Sequence, residues 1–286
     1  MWCFPMDQYE FVLNTLKKKK VNLSPIPPTL LDMLKSKLFN DNSFDFSGMP
    51  VELTQHLLNF QWKGVKFALA RGGKCLIADD MGLGKTIQAI AIATCYISEW
   101  PLLVIVPSAL RQQWKEEFSR WIPRMTCEVN VISDGKGNFD SLINIVSYRL
   151  AATMEQEIKK KNFSVIICDE CHQLKSESAQ RTKAIIPVVR AARRRILLSG
   201  TPEISRPGEL YSQLEALDAQ IFPTFHDFAL RYCAAYQDFR GWNYTGSSNL
   251  DELNYFLKNT VMIRRLKTDV LDELPPKVRH VVDIEL

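Results

Sequence analysis

The chain has 286 residues, 46% hydrophobic and 24% charged, enough apolar material for a full core and one or two domains. A net charge of +4 is compatible with a nucleic-acid partner but too small to imply one. The longest apolar run, Ile87 to Ile97, includes polar residues and is too short to span a bilayer. Seven cysteines in no repeated spacing, with no signal peptide, fit a soluble protein of a reducing, intracellular compartment.

Residues 1–24 carry an apolar-aromatic patch, MWCFPMDQYEFVL, then Lys17 to Lys20 and the Pro-rich SPIPP; they read as the tail of one unit and a linker. TLLDMLKSKLF (29–39) has the spacing of a small helix, and 40–50 reads as loop. From about residue 53, short apolar runs alternate with longer helical stretches. Strands are predicted at CLIAD (75–79), LLVIVP (102–107), VNVIS (129–133), INIVS (143–147), SVIICD (164–169) and RILLS (195–199). Most are apolar throughout, as strands buried on both faces are. The expected fold class is α/β, a parallel sheet flanked by helices, with its lobe over residues 25–225. Residues 226–270 are richer in aromatics, carry the loop GWNYTGSSN and close on a basic helix-like run, IRRLKTDV; they are expected to form a helical insertion. Residues 271–286 read as a linker that ends as a new strand begins.

The strongest motif is DDMGLGKT (79–86), between the strand CLIAD and the helical run IQAIAIATCY. That context is what a phosphate loop needs. Gly82 and Gly84 permit the sharp turn that points backbone amides at phosphates, and the helix N-terminus adds positive charge. Lys85 is assigned to the β- and γ-phosphates of ATP and Thr86 to magnesium, with Asp79, Asp80, Met81 and Leu83 completing the loop. Asp79 occupies the place of the usual first glycine. DECH (169–172) follows a second apolar strand; Asp169 is assigned to magnesium and Glu170 to the attacking water. His172 is assigned to coupling the nucleotide to other loops. Cys168 and Cys171 form a CxxC with no second pair nearby, so zinc or redox use is the weaker reading.

LLSGTP (197–202) places Ser199 and Thr201 after a third strand, where two hydroxyls can sense the γ-phosphate region. Gln61 lies upstream of the loop; its amide both donates and accepts, which suits an adenine edge, although a solvated helix glutamine fits equally. For DNA, the candidates are Ser108 and Arg111 in VPSALRQQW, Ser147 in VSYRL, and Arg264 and Arg265 beside the insertion. Such basic runs are otherwise solvated faces.

The phosphate loop, DECH and SGTP in this order resemble superfamily-two helicases. DDMGLGKT, DECH, ELYSQLEAL and MIRRLKTDVLDELPPK are closer still to the Swi/Snf-type ATPases. Within that branch, DDMGLGKTIQAI, EWPLLVIVPSALR, SGTPEISRPGELY, FALRYC and GWNYTGSSNLDEL resemble the HepA-related annealing-helicase subfamily. WCFPMDQYEFVL looks like the end of that subfamily's HARP substrate-recognition domain. Asp80 stands for the wider family's Glu and Cys171 for its Ser.

The resemblance implies a RecA-like first lobe of a two-lobed motor that hydrolyses ATP with magnesium and moves on duplex DNA. It implies rewinding of single strands and remodelling of stalled replication forks, at forked DNA or single/double-strand junctions, in the nucleus. It also implies a single-strand DNA-binding protein as partner through regions outside these residues, and arginines from a second lobe that complete the ATP site. The chain is therefore expected to be a fragment that binds Mg-ATP but turns it over slowly. A nucleosome remodeller on the same motor, an RNA helicase and a non-catalytic ATP-gated DNA-binding module are the competing readings.

Overall fold

Every residue of LLVIV (102–106) is buried, and its side chains alternate between two apolar clusters, Leu102, Val104 and Val106 in one, Leu103 and Ile105 in the other. Successive strand residues point to opposite faces, so a run without a polar face belongs in the middle of a sheet covered on both sides. The computed structural model, which describes residues 4–35, 44–175, 179–200, 206–239 and 241–274, places it there.

In chain order, α1 (Tyr9–Lys18), α2 (Pro28–Lys35), α3 (Val51–His56) and α4 (Asn59–Ala70) precede β1 (Lys74–Ile77). The alternating region continues with α5 (Lys85–Thr94), β2 (Leu102–Val106), α6 (Arg111–Trp121), β3 (Val129–Val131) and β4 (Ile143–Ser147). It closes with α7 (Tyr148–Thr153), α8 (Glu155–Lys161), β5 (Val165–Cys168), α9 (Gln180–Ala191) and β6 (Arg194–Leu198). The chain then forms α10 (Pro207–Leu217), α11 (Phe225–Tyr232), β7 (Tyr236–Asp238), β8 (Gly241–Asn243), α12 (Leu250–Thr260) and β9 (Met262–Ile263).

The main sheet has seven strands in the order β3-β4-β2-β5-β6-β1-β9, all parallel. Side chains of α4, α5 and α6 cover one face. Those of α7 to α12, with Leu30 of α2, cover the other. All the strands predicted from the apolar runs lie in this sheet, and the α/β fold class stands.

The C-terminal part differs from expectation. The segment 226–270 does not remain an insertion to its end, because Met262 and Ile263 pair with Leu76 and Ile77 as the edge strand of the main sheet. The reason lies in β1, whose outer edge needs acceptors: Leu76, Ala78 and Asp80 donate their N–H groups to the carbonyls of Val261, Ile263 and Arg265, at 2.8, 2.7 and 3.0 Å. IRRLKTDV is accordingly no α-helix but the end of β9, an irregular stretch and a single 3₁₀ turn at Lys267–Asp269. GWNYTGSSN begins as β8, paired antiparallel with β7. The helical part, α11 and α12, is clamped by Arg231, which donates from two nitrogens to Glu252 at 2.6 and 2.7 Å. The expected linker 271–286 lies outside the described residues beyond 274.

Candidate active site

Parallel pairing sets the carboxyl ends of β1, β6 and β5 side by side, with Ile77 opposite Leu198 and Cys168 opposite Leu197. The residues just past these strands therefore meet at one edge of the sheet, where ligands of open α/β folds bind.

The loop after β1 turns on Gly82 (φ +83°) and Gly84 (φ +73°). A Cβ on Gly84 would stand 2.4 Å from Nε2 of Gln61, so both backbone and space demand glycine there. α5 begins immediately at Lys85 and points its free N-terminal amides into the loop, with Thr86 half-buried in its first turn. Lys85 Nζ donates to the carbonyls of Asp79 (2.8 Å) and Asp80 (3.2 Å). Burial depresses the pKa of its ammonium, against the pull of Glu170, Asp79, Asp169 and Asp80. Leu83 anchors the loop from beneath with Phe60 and Val270, while Met81 is exposed.

Asp79 does not face the phosphate side. Its carboxylate is fully buried and accepts from Arg265 N, Nε and an NH₂ nitrogen and from Gln88 Nε2. This explains why an acid stands where glycine is usual: the position lacks a positive φ and its side chain holds a cation from beneath the loop. Arg265 is thereby removed from the DNA candidates, since its guanidinium also donates to Gln88 Oε1 and Phe60 O. Gln61 is likewise corrected. Its Oε1 accepts from Leu58 N (3.0 Å) and its Nε2 donates to Leu83 O (3.1 Å), so both ends of the amide brace the loop rather than face an adenine. Asp80 accepts from Lys267 N at 3.0 Å.

Asp169 is held at every polar atom. Its N donates to Ile105 O (2.9 Å), its carbonyl accepts from Tyr148 Oη (2.7 Å), Oδ2 accepts from Trp114 Nε1 (2.8 Å) and Oδ1 from Glu170 N (2.9 Å). Burial raises its pKa, partly opposed by the Trp114 hydrogen bond. Glu170 takes a left-handed backbone (φ 49°, ψ 50°), an uncommon conformation for a side-chain-bearing residue and one that clusters at functional sites. Its Oε2 lies 3.2 Å from Nδ1 of His172. Cys168 and Cys171 are buried, and burial pushes both thiols far up; Cys171 Sγ donates to Gln213 Oε1 at 3.0 Å. Ser199 is buried, its N–H on Ile77 O at 3.1 Å, and a Cβ on Gly200 would lie 3.5 Å from Lys85 Nζ. The loop after β6 thus borders the lysine. Thr201 lies outside the described residues.

Of the DNA candidates, Ser108 is exposed and Arg111 half-buried, its guanidinium donating to the carbonyls of Ser108 (3.2 Å) and Ile132 (2.6 Å). Ser147 caps α7, its Oγ accepting from Leu150 N at 3.3 Å, and its burial withholds the hydroxyl from a phosphate outside. The exposed cation of that turn is Arg149. Arg264 is half-buried. Sequence reasoning missed Lys267, which stands over the phosphate loop: a Cβ on Gly82 would lie 3.9 Å from its Nζ. It also missed Trp114 and Tyr148.

The residues fit a magnesium–nucleotide. The loop turns on two glycines at positive φ, it is backed by a helix N-terminus, and Asp169 is fixed with each carboxylate oxygen accepting one hydrogen bond from the protein. Among the described residues no group of three or more His, Cys, Asp or Glu forms a metal cage. A magnesium held by one hydroxyl, one carboxylate and substrate phosphates needs none.

A family model described as the SNF2-related domain matches residues 60–286. The chain belongs to the SNF2-related family. Among SNF2-related proteins, it is 45% identical over 291 residues to the Xenopus laevis "SWI/SNF-related matrix-associated actin-dependent regulator of chromatin subfamily A-like protein 1", covering 98% of this chain and 30% of that one. It is 46% identical over 259 residues to the human "DNA annealing helicase and endonuclease ZRANB3", covering 86% of this chain and 24% of the relative. The chain thus spans less than a third of the length of either relative. The "Sulfolobus solfataricus SWI2/SNF2 ATPase core in complex with dsDNA" superposes with a TM-score of 0.62 at 24% identity, over 83% of this chain and 49% of that one. That likeness establishes a shared SNF2 ATPase-core fold, which is RecA-like.

Proposed function

We propose that this chain is the ATP-binding first lobe of a DNA-dependent motor that rewinds single strands and remodels stalled forks. The observation that carries the reading is the meeting, at one sheet edge, of Lys85 on its glycine loop with Asp169, Glu170 and the Ser199–Gly200 turn. In this arrangement Lys85 binds the β- and γ-phosphates, and the amides that open α5 hold their oxygens. Thr86 and Asp169 hold magnesium, which when bound neutralises charge on the phosphates. Glu170 orients the attacking water and accepts its proton at a carboxylate oxygen, with His172 beside it. Ser108, Arg111, Arg149 and Arg264 supply the nucleic-acid contacts, which position the strand without reading its sequence. The relatives' names support DNA as substrate and a nuclear location; a single-strand DNA-binding protein as partner rests on the family resemblance alone.

The test is ATP turnover by the full-length protein with no nucleic acid, with forked DNA and with RNA, alongside Lys85→Ala and Glu170→Gln. Forked DNA is expected to stimulate turnover strongly, RNA far less, and both substitutions to abolish it. Binding of Mg-ATP without stimulation by any nucleic acid would leave an ATP-gated binding module in place of the motor.

A further inference from the structure

Two aromatic side chains far apart in sequence end on the same acid. Trp114, from α6, and Tyr148, the first residue of α7, are each 1% exposed. A buried indole N–H or phenol O–H usually finds an acceptor. Here both find Asp169, across sequence separations of 55 and 21 residues, Trp114 at Oδ2 and Tyr148 at the carbonyl. A sheet edge offers many other acceptors, so their convergence on the one residue assigned to the metal, one at its carboxylate and one at its backbone carbonyl, singles these residues out.

The same two elements carry two of the arginines read as DNA contacts, Arg111 half-buried and Arg149 exposed. Arg111 lies three positions before Trp114 on α6, on the same side of the helix, and Arg149 directly follows Tyr148. A load on Ser108 and Arg111 therefore bears on the helix that donates to Oδ2, and a load on Arg149 on the turn that donates to the carbonyl. Hydrogen bonds weaken steeply as they bend, so a small displacement of α6 re-aims the carboxylate and one of α7 shifts the backbone that carries it.

We propose that Trp114 and Tyr148 are positioning residues that couple DNA lying on the α6 and α7 turns to the aim of Asp169 at the metal. The proposal rests on the reading of those turns as the DNA edge and of Asp169 as the magnesium ligand. It assigns coupling to groups other than His172, Ser199 and Thr201, and neither residue touches the nucleotide or the nucleic acid itself.

Tyr148→Phe removes one oxygen and Trp114→Phe one ring donor, both in the full-length protein. Three quantities are measured: the magnesium concentration for half-maximal binding of a fluorescent ATP analogue, the affinity for duplex DNA without nucleotide, and the ratio of DNA-stimulated to unstimulated turnover. Groups that hold a metal ligand typically contribute ten- to a hundredfold in metal affinity. The expected result is about a tenfold rise in the magnesium requirement for Trp114→Phe, with DNA affinity unchanged. For Tyr148→Phe the stimulation ratio is expected to fall about tenfold at unchanged DNA affinity, which a merely structural residue would not produce. Wild-type magnesium dependence and wild-type stimulation in both variants overturn the proposal. Loss of DNA affinity in parallel with stimulation overturns it too, by making the residues part of the DNA surface. Absence of DNA stimulation in the wild-type protein strikes the motor reading instead, and the magnesium titration of Trp114→Phe then decides the positioning role alone. Should Trp114→Phe fail to fold, the near-isosteric Tyr148→Phe carries both measurements.

Discussion

Arg265 and Asp79, 186 residues apart in sequence, form an enclosed ion pair in which Nε lies 2.9 Å from Oδ1 and an NH₂ nitrogen 2.5 Å from Oδ2. The acid is fully buried and the arginine side chain 12% exposed. Removing one partner of a buried pair leaves an uncompensated charge, at about 3–5 kcal/mol. Arg265→Ala is therefore expected to lower unfolding free energy by about that amount. Arg265→Lys should restore only part, because an ammonium lacks the planar fork that reaches both carboxylate oxygens. Denaturant unfolding decides; a loss below about 1 kcal/mol contradicts the assignment.

Gln61 separates two roles cleanly. With its amide bonded to Leu58 N and Leu83 O, Gln61→Ala should weaken binding of ATP and GTP alike, by loosening the loop. An adenine-reading glutamine would instead shift the ratio between the two nucleotides. Competition binding with both nucleotides measures this, and an altered preference for ATP would refute the brace.

Gly84→Ala is expected to abolish nucleotide binding while the protein stays folded. The new Cβ meets Gln61 Nε2 at 2.4 Å, and the residue must hold a φ of +73°. Equilibrium binding together with circular dichroism checks both halves of the statement.

Lys267→Ala should weaken nucleotide binding about three- to tenfold, less than Lys85→Ala, because its ammonium stands over Gly82 from a solvent-exposed position. Calorimetric titration with a non-hydrolysable ATP analogue measures the difference. Equal affinity in Lys267→Ala and wild type removes this lysine from the site.

Arg149→Ala should reduce the slope of log affinity for duplex DNA against log salt by roughly 0.9, one phosphate contact. Ser147→Ala should leave that slope alone and cost about 1 kcal/mol of stability, as loss of a helix cap does. The reverse pattern would return Ser147 to the DNA surface.

The apolar strands were legible in the sequence because a strand covered on both faces leaves no polar residue to confuse the pattern, as 102–106 shows. The phosphate loop was legible because its backbone geometry restricts composition at Gly82 and Gly84. β9 was not, since two residues carry no periodicity, and the arginines beside them suggested a solvated helix. Arg265 is charged yet faces inward, a choice fixed by Asp79 and invisible locally. Trp114 and Tyr148 drew no assignment, because nothing in a linear sequence records which acceptor a buried donor will find.

The chain leaves the sheet through a strand only two residues long, and the segment from Arg264 to Leu274 is tied not to other strands but to the phosphate loop and its neighbouring helix. Asp80 takes Lys267 N, Glu273 takes Phe60 N, and Val270 packs on Leu83. Mechanically, this is a short weld continued by a row of stitches. Tension applied beyond residue 274 would be felt first at the start of α4 and then in the loop, so a pull on the exit strap becomes a tug on the nucleotide cradle before any β-pairing gives way.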